Sequence, residues 1–518
     1  MAKKKTNVDN LLSAIRKRTD SSSFADSDLL KISEYISTGS YAINRIVSGD
    51  IHKGIPAGRI ITLAGESACT PRDQMVTIML EDDGDWSAVK DVEIGSLETM
   101  TKPYSINTPD GWQKTGKFVN KGVLSCKELI AFGDVDTYKI NASDDHLIET
   151  VRGWVTMKEL SRLDKVLVED GTYADVMEIN DIGEIECVDI EVLHDNHRYY
   201  CQGISSHNTG KSLLAATIIR NALVENDYDV IFYIDSEGGG LDSFLEKEGA
   251  DLNKIEHILV NSVEMCSSKL LYIYDQVEQS RKASIAADEK PIKAMVVLDS
   301  FGALVADKFV NDAVDKDKQV SDMGSTARLK NAMMKSLMTR VMSTQCSLIV
   351  LNHVYDNPAA MFTSKVKEMP GGKGIQFASH IILQTSKKLE KDANVKETSY
   401  YKGNTLKFFT VKNRIIKPGY TAECYIDFDN GINKWEGLVE EARRLGFIEG
   451  GTAGLYLVPS FSDKKIRMNR LLAEDEIWET FLEEFNEKSF KEIQYGSKTN
   501  VDDQIDDIVN GEDEGIII

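Results

Sequence analysis

The sequence has no apolar run near the roughly 18 residues that a membrane-spanning helix needs, so no membrane span is expected. Its first residues, Met1-Ala2-Lys3-Lys4-Lys5, carry no apolar stretch and no cleavage-site pattern, so no secretory signal is expected. Cysteine is sparse and odd in number, at seven, which argues against a disulfide framework and suits a reducing compartment. Proline (9) and glycine (36) are not enriched, which excludes a fibrous or broadly disordered chain. Basic charge is in deficit: 61 Lys and Arg stand against 83 Asp and Glu, a net charge of −22. Taken whole, that argues against a nucleic-acid binder. What remains is a globular composition, 42% hydrophobic and 28% charged over 518 residues. That length holds about three domains of ordinary size.

The chain changes style twice. Residues 1–35 are polar, with Leu11, Leu12 and Ile15 on one helical face and basic residues at Lys3–Lys5 and Arg16–Arg18. Arg59–Gly65 reads as a buried strand ending in a turn. From Cys69 to Asn208 the pattern is short β-rich runs such as Thr137–Ile140, Lys165–Val168 and Val188–Val192. Turns such as Asn107–Gly111 and Glu169–Gly171 separate them, and the reading is an all-β insert. After Thr209 the earlier style resumes: a helix over Ser212–Leu223, then apolar strands at Val230–Ile234, Met295–Leu298 and Ser347–Leu351 with helical segments between. That alternation predicts a parallel α/β sheet. Asp502–Glu514 carries seven acids and no base and is expected to be a solvated arm.

Thr209-Gly210-Lys211-Ser212 is the end of a Gly-x-x-x-x-Gly-Lys-Ser phosphate loop, but Ser205 stands where its first glycine belongs. The missing half, Gly65-Glu66-Ser67-Ala68, follows the Arg59–Gly65 strand. Removing residues 69–208 joins the halves with correct spacing. The spacing matters because backbone N–H groups of the loop and of the helix N-terminus surround phosphates. Lys211 then reaches the β- and γ-phosphates of ATP, and Ser212 binds Mg²⁺. Halves split by an insert cannot close such a nest.

The insert's ends carry chemistry of their own. It opens with Cys69-Thr70-Pro71-Arg72-Asp73 and closes with His207-Asn208 before Thr209. Between them stand Ser143-Asp144-Asp145-His146, Asp189-Ile190-Glu191-Val192, His197 and Gly203–Asn208. Across all 140 residues the insert resembles an intein, a self-splicing segment of the Hint fold, and one without room for a homing endonuclease. Arg72 stands where glycine is common, and Ser143 where threonine is usual. The resemblance implies that Cys69 attacks the Ala68 carbonyl and that His146 protonates the leaving amine. It implies that Thr209 receives the acyl group and that Asn208 cyclises with help from His207 and His197. Asp189 tunes Cys69. No cofactor is needed. Cys126, Cys187 and Cys201 match no catalytic position and are expected to be core residues; His194 is expected in an exposed loop.

The host resembles the RecA family, and within it the recombinases of T-even-type phages. The ordered set is strand, phosphate loop, Val230–Glu237, Met295–Ser300, Ile349–His353 and Gly371–Gly374, with Asp322-Met323-Gly324, Ala327-Arg328 and Val411–Arg414 also fitting. The fold class expected is therefore α/β: a RecA-type P-loop ATPase core with a parallel-rich sheet, interrupted by an all-β Hint domain. The expected divisions are 1–35 for oligomerisation, 36–68 with 209–440 for the core, 69–208 for the mini-intein, 441–500 for a C-terminal region and 501–518 for the acidic tail.

The resemblance implies a DNA-dependent ATPase that uses ATP and Mg²⁺. Asp299 would help hold Mg²⁺, Glu237 would polarise the attacking water, and Asn352-His353 would sense the γ-phosphate, although many relatives carry Gln in place of that histidine. Lys412 and Arg414 would reach the neighbouring subunit's ATP. Residues 308–322 and 355–372, with Lys308, Lys316, Lys318, Lys365, Lys367 and Phe362, would contact DNA. The implied partners are single-stranded DNA, homologous double-stranded DNA, further copies in a helical filament, and phage single-strand-binding and mediator proteins, in the cytoplasm of an infected bacterium. Charge permits this. The insert carries 13 basic and 27 acidic residues, so the remainder holds 48 against 56, and seven of those acids lie in the tail. A different RecA-fold motor such as a helicase, or a non-splicing inactive chain, stays open as an alternative.

Overall fold

The structure is a computed structural model. It describes residues 7–19, 31–65, 69–82, 85–100, 102–134, 136–192, 198–207, 211–236, 245–246, 249–308, 323–354, 369, 372–388, 403–427 and 431–496. The described residues form two bodies of different construction. The first is a mixed α/β body around a sheet of nine strands among the described residues. Six of them run parallel in the order Ile255–Leu259, Val230–Asp235, Ala294–Asp299, Ser347–His353, Ile60–Gly65 and Ile381–Lys388. Gly403–Asn413, Thr421–Asp427 and Gly431–Ile432 extend it antiparallel. The inner strands Ile60–Gly65 and Ala294–Asp299 are buried throughout, as strands covered on both faces must be.

Helices cover both faces. On one side the Val263–Ala286 and Met323–Thr344 helices pack with Leu298, Phe301 and Leu348 into one apolar cluster. The Val263 helix starts on Ser262, whose side chain accepts from Met265 N at 3.1 Å and so satisfies a terminal N–H. On the other side lie the Lys211–Val224 helix, the Tyr41–Ser48 helix and the C-terminal segments. Gly49 ends the Tyr41 helix in the left-handed region (φ 91°), and a Cβ there would meet Phe490 at 2.7 Å. Trp435 stacks on Trp478 at 4.7 Å, and their indole N–H groups donate to Asp475 and to the Leu471 carbonyl. Such paired, anchored aromatics add about 0.5–1.5 kcal/mol beyond their buried area. This core takes side chains from Ile36 to Phe485, none of them from the insert, and draws on both sides of residue 440, which lies in the Val439–Arg444 helix.

The second body is the insert. Its strands, twelve among the described residues, are all antiparallel. The sequence suggested short runs. The structure has instead two long strands, Gly111–Phe132 and Tyr173–Val192, paired along most of their length. Register shifts at Val176/Glu178, Asp181/Gly183, Cys187/Val188 and Ile190/Val192 reset the alternation of sides, so the pattern reads as several fragments. The insert keeps its own core, including Ile106, Ile140, Ile148, Val188 and Tyr199. None of the buried apolar clusters among the described residues mixes insert and host side chains.

At the N-terminal end, Asn7–Thr19 is a helix whose Leu11, Leu12 and Ile15 are exposed. No helix among the described residues is long and apolar enough to cross a membrane.

Candidate functional site

The insert brings its two ends to one short segment. Cys69 is fully buried. Its carbonyl accepts from Ser143 N at 2.9 Å, and Ser143 Oγ approaches Cys69 Sγ at 3.6 Å. Three residues on, His146 N donates to Ser143 O at 2.8 Å, closing a tight turn. Leu147, next in the chain, pairs with His207 on the insert's last strand, Ile204–His207. Ser143–Leu147 therefore contacts the first described residue after the upstream junction and, at its other end, the strand that leads to the downstream one.

His146 is fully buried, and neither ring nitrogen has a hydrogen-bond partner among the described residues. Burial lowers its pKa to about 3, so it rests as neutral imidazole. A neutral ring with an unengaged nitrogen can accept or relay a proton once a peptide lies against it. Asp189 is also buried, one residue beyond Val188, which pairs with Thr70. Its Oδ1 accepts from Ile190 N at 2.9 Å. Tyr199 lies in the same region. Burial first, then the charges of Cys201, Asp189 and Cys69, push its phenol well above the ordinary range.

A buried ionic group holds the downstream strand. Arg198 pairs opposite His207 in the sheet. Its guanidinium makes two 2.7 Å bonds to Asp110 and reaches Glu149 at 3.1 and 3.2 Å. Ser205 Oγ donates to Glu149 at 2.6 Å. Burial opposes the arginine's charge, but the bond to Asp110 and the charges of Glu149 and Asp110 outweigh it and raise its pKa. Sequence reasoning missed this group, because its members come from separate strands and belong to no motif.

The host site forms where parallel strands end. Gly65 is registered with His353 on one side and Thr385 on the other, and its carbonyl accepts from Val354 N at 3.1 Å. Asp235 is registered with Asp299. Asp299, nearly buried, accepts from Tyr233 Oη at 2.7 Å. Ser236 Oγ donates to Ser300 O at 2.6 Å and accepts from Ser300 N at 2.8 Å. His353 Nε2 faces Ser300 Oγ at 3.5 Å, and buried Asn352 accepts from His353 N through Oδ1 at 3.0 Å. The Lys211–Val224 helix packs beside the Ile60–Gly65 strand through Leu214 and Ala215. Strand ends beside a helix start are the usual place for phosphates in parallel sheets.

Lys412 and Arg414 lie elsewhere. Lys412 is registered with Ile382, and Ile382 with Thr62, toward the beginning of the strand that ends at Gly65. Its Nζ donates to the Gln376 and Phe377 carbonyls at 2.5 and 3.1 Å, and Arg414 Nη2 to the Phe377 carbonyl at 3.0 Å. Burial, and then Arg414, lower the Lys412 pKa to about 8. The register sets Lys412 away from Gly65, the last described residue before the loop. Glu66, Ser67, Ala68, His194, His197, Asn208, Thr209, Gly210 and Glu237 lie outside the described residues, as do the side chains of His207, Lys211 and Ser212. So do Lys316, Lys318, Phe362, Lys365, Lys367 and the acidic tail.

Residues 203–433 match the RecA N-terminal domain family, a match that begins at the insert's C-terminal edge. The chain is similar to the recombination and repair protein of Enterobacteria phage T4, at 27% identity over 52% of this chain and 62% of that protein. It is 27% identical to the RecA protein of Aquifex aeolicus over 47% of this chain and 64% of that one. In both cases it spans less than two thirds of the relative's length. Among solved structures, the VidaL intein is 34% identical over 28% of this chain and 99% of its own, with a TM-score of 0.26. A DnaB intein from Synechocystis sp. PCC 6803 is 20% identical over 27% of this chain and 98% of its own, with a TM-score of 0.23. The chain carries a RecA-type domain with an intein-like region inserted in it.

Proposed function

We propose that the chain is a self-splicing precursor whose product is a phage-type recombination protein. The observation that carries this reading is the meeting of the insert's ends at Ser143–Leu147, in a chain whose phosphate loop becomes whole only without residues 69–208.

In this reading Cys69 Sγ attacks the Ala68 carbonyl carbon. A C–S bond forms, the Ala68–Cys69 C–N bond breaks, and the free Cys69 amine takes its proton by way of His146. A thiol suits the step because it is both a good nucleophile and a good leaving group near neutral pH. Thr209 Oγ1 then displaces the thiolate to give an ester. The Asn208 side-chain amide nitrogen attacks its own carbonyl carbon, and the 208–209 bond breaks, with His207 and His197 moving protons. The Thr209 amine finally displaces its own ester oxygen, leaving an Ala68–Thr209 peptide bond.

The spliced loop would then hold ATP with Mg²⁺, whose γ-phosphate transfer to water supplies the energy of the reaction cycle. The host residues fit that group: a nearly buried carboxylate at Asp299, held by Tyr233, stands at the C-terminal end of its strand, in the same parallel sheet as the strand that ends at Gly65. Ser212 and Asp299 would hold the metal, and the backbone from Gly65 to Ser212 the phosphates. Glu237 would orient water, and Asn352 with His353 would face the γ-phosphate. Lys412 and Arg414 would serve a neighbouring copy in a filament on single-stranded DNA. That filament would pair with homologous duplex and exchange strands, alongside phage single-strand-binding and mediator proteins.

Mass spectrometry of the expressed chain tests the reading. A tryptic peptide containing a direct Ala68–Thr209 bond is expected, together with a free 69–208 fragment. Intact chain of 57.8 kDa as the only product would overturn it.

A further inference from the structure

The three buried thiols around the upstream junction form a cluster separate from the insert's main core: Cys69, Cys126 and Cys187, covered by the half-buried side chains of Leu124, Ile182 and Ile185. Cys126 Sγ and Cys187 Sγ stand 3.3 Å apart. Neither has a part in the splicing steps above. Both are fixed to the walls of the nucleophile's site. Cys126 is registered with Ser143, whose backbone and hydroxyl hold Cys69. Cys187 is registered with Pro71, two residues past Cys69, and Asp189 follows on the same strand. The hydrogen bond with Cys187 lowers the pKa of Cys126, which makes Cys126 the thiol that ionises first.

We propose that Cys126 and Cys187 are a redox-modification site, and that their disulfide reversibly stops the Cys69 acyl shift. The oxidant class is a small-molecule disulfide, R–S–S–R. The Cys126 thiolate attacks one of its sulfurs, forming a mixed disulfide and expelling RS⁻. The Cys187 thiol then attacks the Cys126 sulfur and expels the second RS⁻, which takes the Cys187 proton as it leaves. Two protein thiols lose two electrons, R–S–S–R becomes two RSH, and the two thiol protons end on them. Local opening of the small Leu124–Ile182–Ile185 cover admits the reagent, because a satellite cluster opens more readily than a main core.

A covalent S–S bond of about 2.05 Å replaces the present contact. The cysteines sit at different levels of the paired long strands, Cys126 opposite Gly183 and Cys187 opposite Gly122. Closing the gap draws those levels toward each other, and with them Ser143 on one side and Thr70 with Asp189 on the other. The acyl shift needs Cys69 Sγ aligned on the preceding carbonyl, and a misplacement near 1 Å costs roughly 100-fold in rate. A reducing milieu therefore permits splicing, and an oxidising one holds the chain as precursor. The gating half of the proposal rests on the splicing reading; the pairing half does not.

The full-length Asn208→Ala chain, which stops before C-terminal cleavage, is treated with hydroxyethyl disulfide and freed of reagent. Peptide mapping reports the linkage. Hydroxylamine, which cleaves thioesters without reducing disulfides, reports the acyl shift as cleavage after Ala68. A linked Cys126–Cys187 peptide is expected, with cleavage slowed roughly 100-fold and restored by a phosphine reductant. The Cys126→Ser/Cys187→Ser chain should cleave at the same rate before and after treatment. The single Cys126→Ala and Cys187→Ala chains serve should the double variant not fold. Absence of the linked peptide overturns the pairing. Linked chain that cleaves at full rate overturns the gating, as does inhibition that persists in the serine variant, because Cys69 itself would then be the modified group. Reduced chain that never cleaves sinks the splicing reading and the gating together, while the peptide map still decides the pairing.

Discussion

His146 is neutral for a reason independent of any reaction: no charge or hydrogen bond among the described residues compensates its burial. Its pKa is about 3 folded, against 6.5 when exposed. Between those values the unfolded chain binds a proton that the folded chain does not. Stability therefore rises with pH across that window, and the effect vanishes above about 6.5. The slope from one such group is about 1.4 kcal/mol per pH unit. His146→Gln, placed in a Cys69→Ala chain so that nothing splices, should flatten the acid limb of the insert's unfolding curve. Thermal unfolding at about pH 7 and about pH 5 checks it; an unchanged difference would show that His146 is already charged in the fold. Motif spacing marks Cys69 and His146 as candidates in the sequence, and the fold sets both against Ser143. No motif marks Arg198. It is one charge in a sequence that is 28% charged, and its partners Asp110 and Glu149 come from distant segments.

At the level of strands, that ionic group has a specific task. Arg198 stands opposite His207, and Ser205 ties the same terminal strand to Glu149. The strand leading to Asn208 is thus clamped by buried charges as well as by its ladder to Leu147 and Ile148. Removing one member of a buried pair leaves the other uncompensated and costs about 3–5 kcal/mol. Arg198→Ala should lower the insert's melting temperature by roughly 10 °C and cut C-terminal cleavage more than N-terminal cleavage. Calorimetry and hydroxylamine trapping check the two parts. Equal loss at both junctions would mean that Arg198 supports the insert generally and not this strand. The strands themselves were only partly legible. Turn chemistry at Asn107–Gly111 marked a true hairpin, with Thr108 paired to Gly111. The long strands stayed hidden because each bulge flips the buried side, and a period-two reading restarts there. The host strands were read more nearly whole, since both faces are covered and no alternation is needed.

For the molecule as a whole, the arrangement separates folding from function. The strand that ends at Gly65 and the helix that begins at Lys211 already share one core with the insert still in the chain. The buried clusters of host and insert share no residue. An insert can therefore occupy the phosphate loop without undoing the sheet around it, because the loop is closed by chain continuity whereas the sheet is held by side-chain packing. Host stability should then be nearly indifferent to splicing, while nucleotide turnover depends on it entirely. A chain carrying both Cys69→Ala and Asn208→Ala should show a host unfolding transition within about 1 kcal/mol of the spliced product's. It should show no ATPase activity, matching spliced protein that carries Lys211→Ala. Differential scanning calorimetry beside a phosphate-release assay reads both. A host transition that disappears in the unspliced chain would mean that packing, too, waits on ligation. Turnover by the unspliced chain would mean that two separated half-loops suffice to hold a triphosphate.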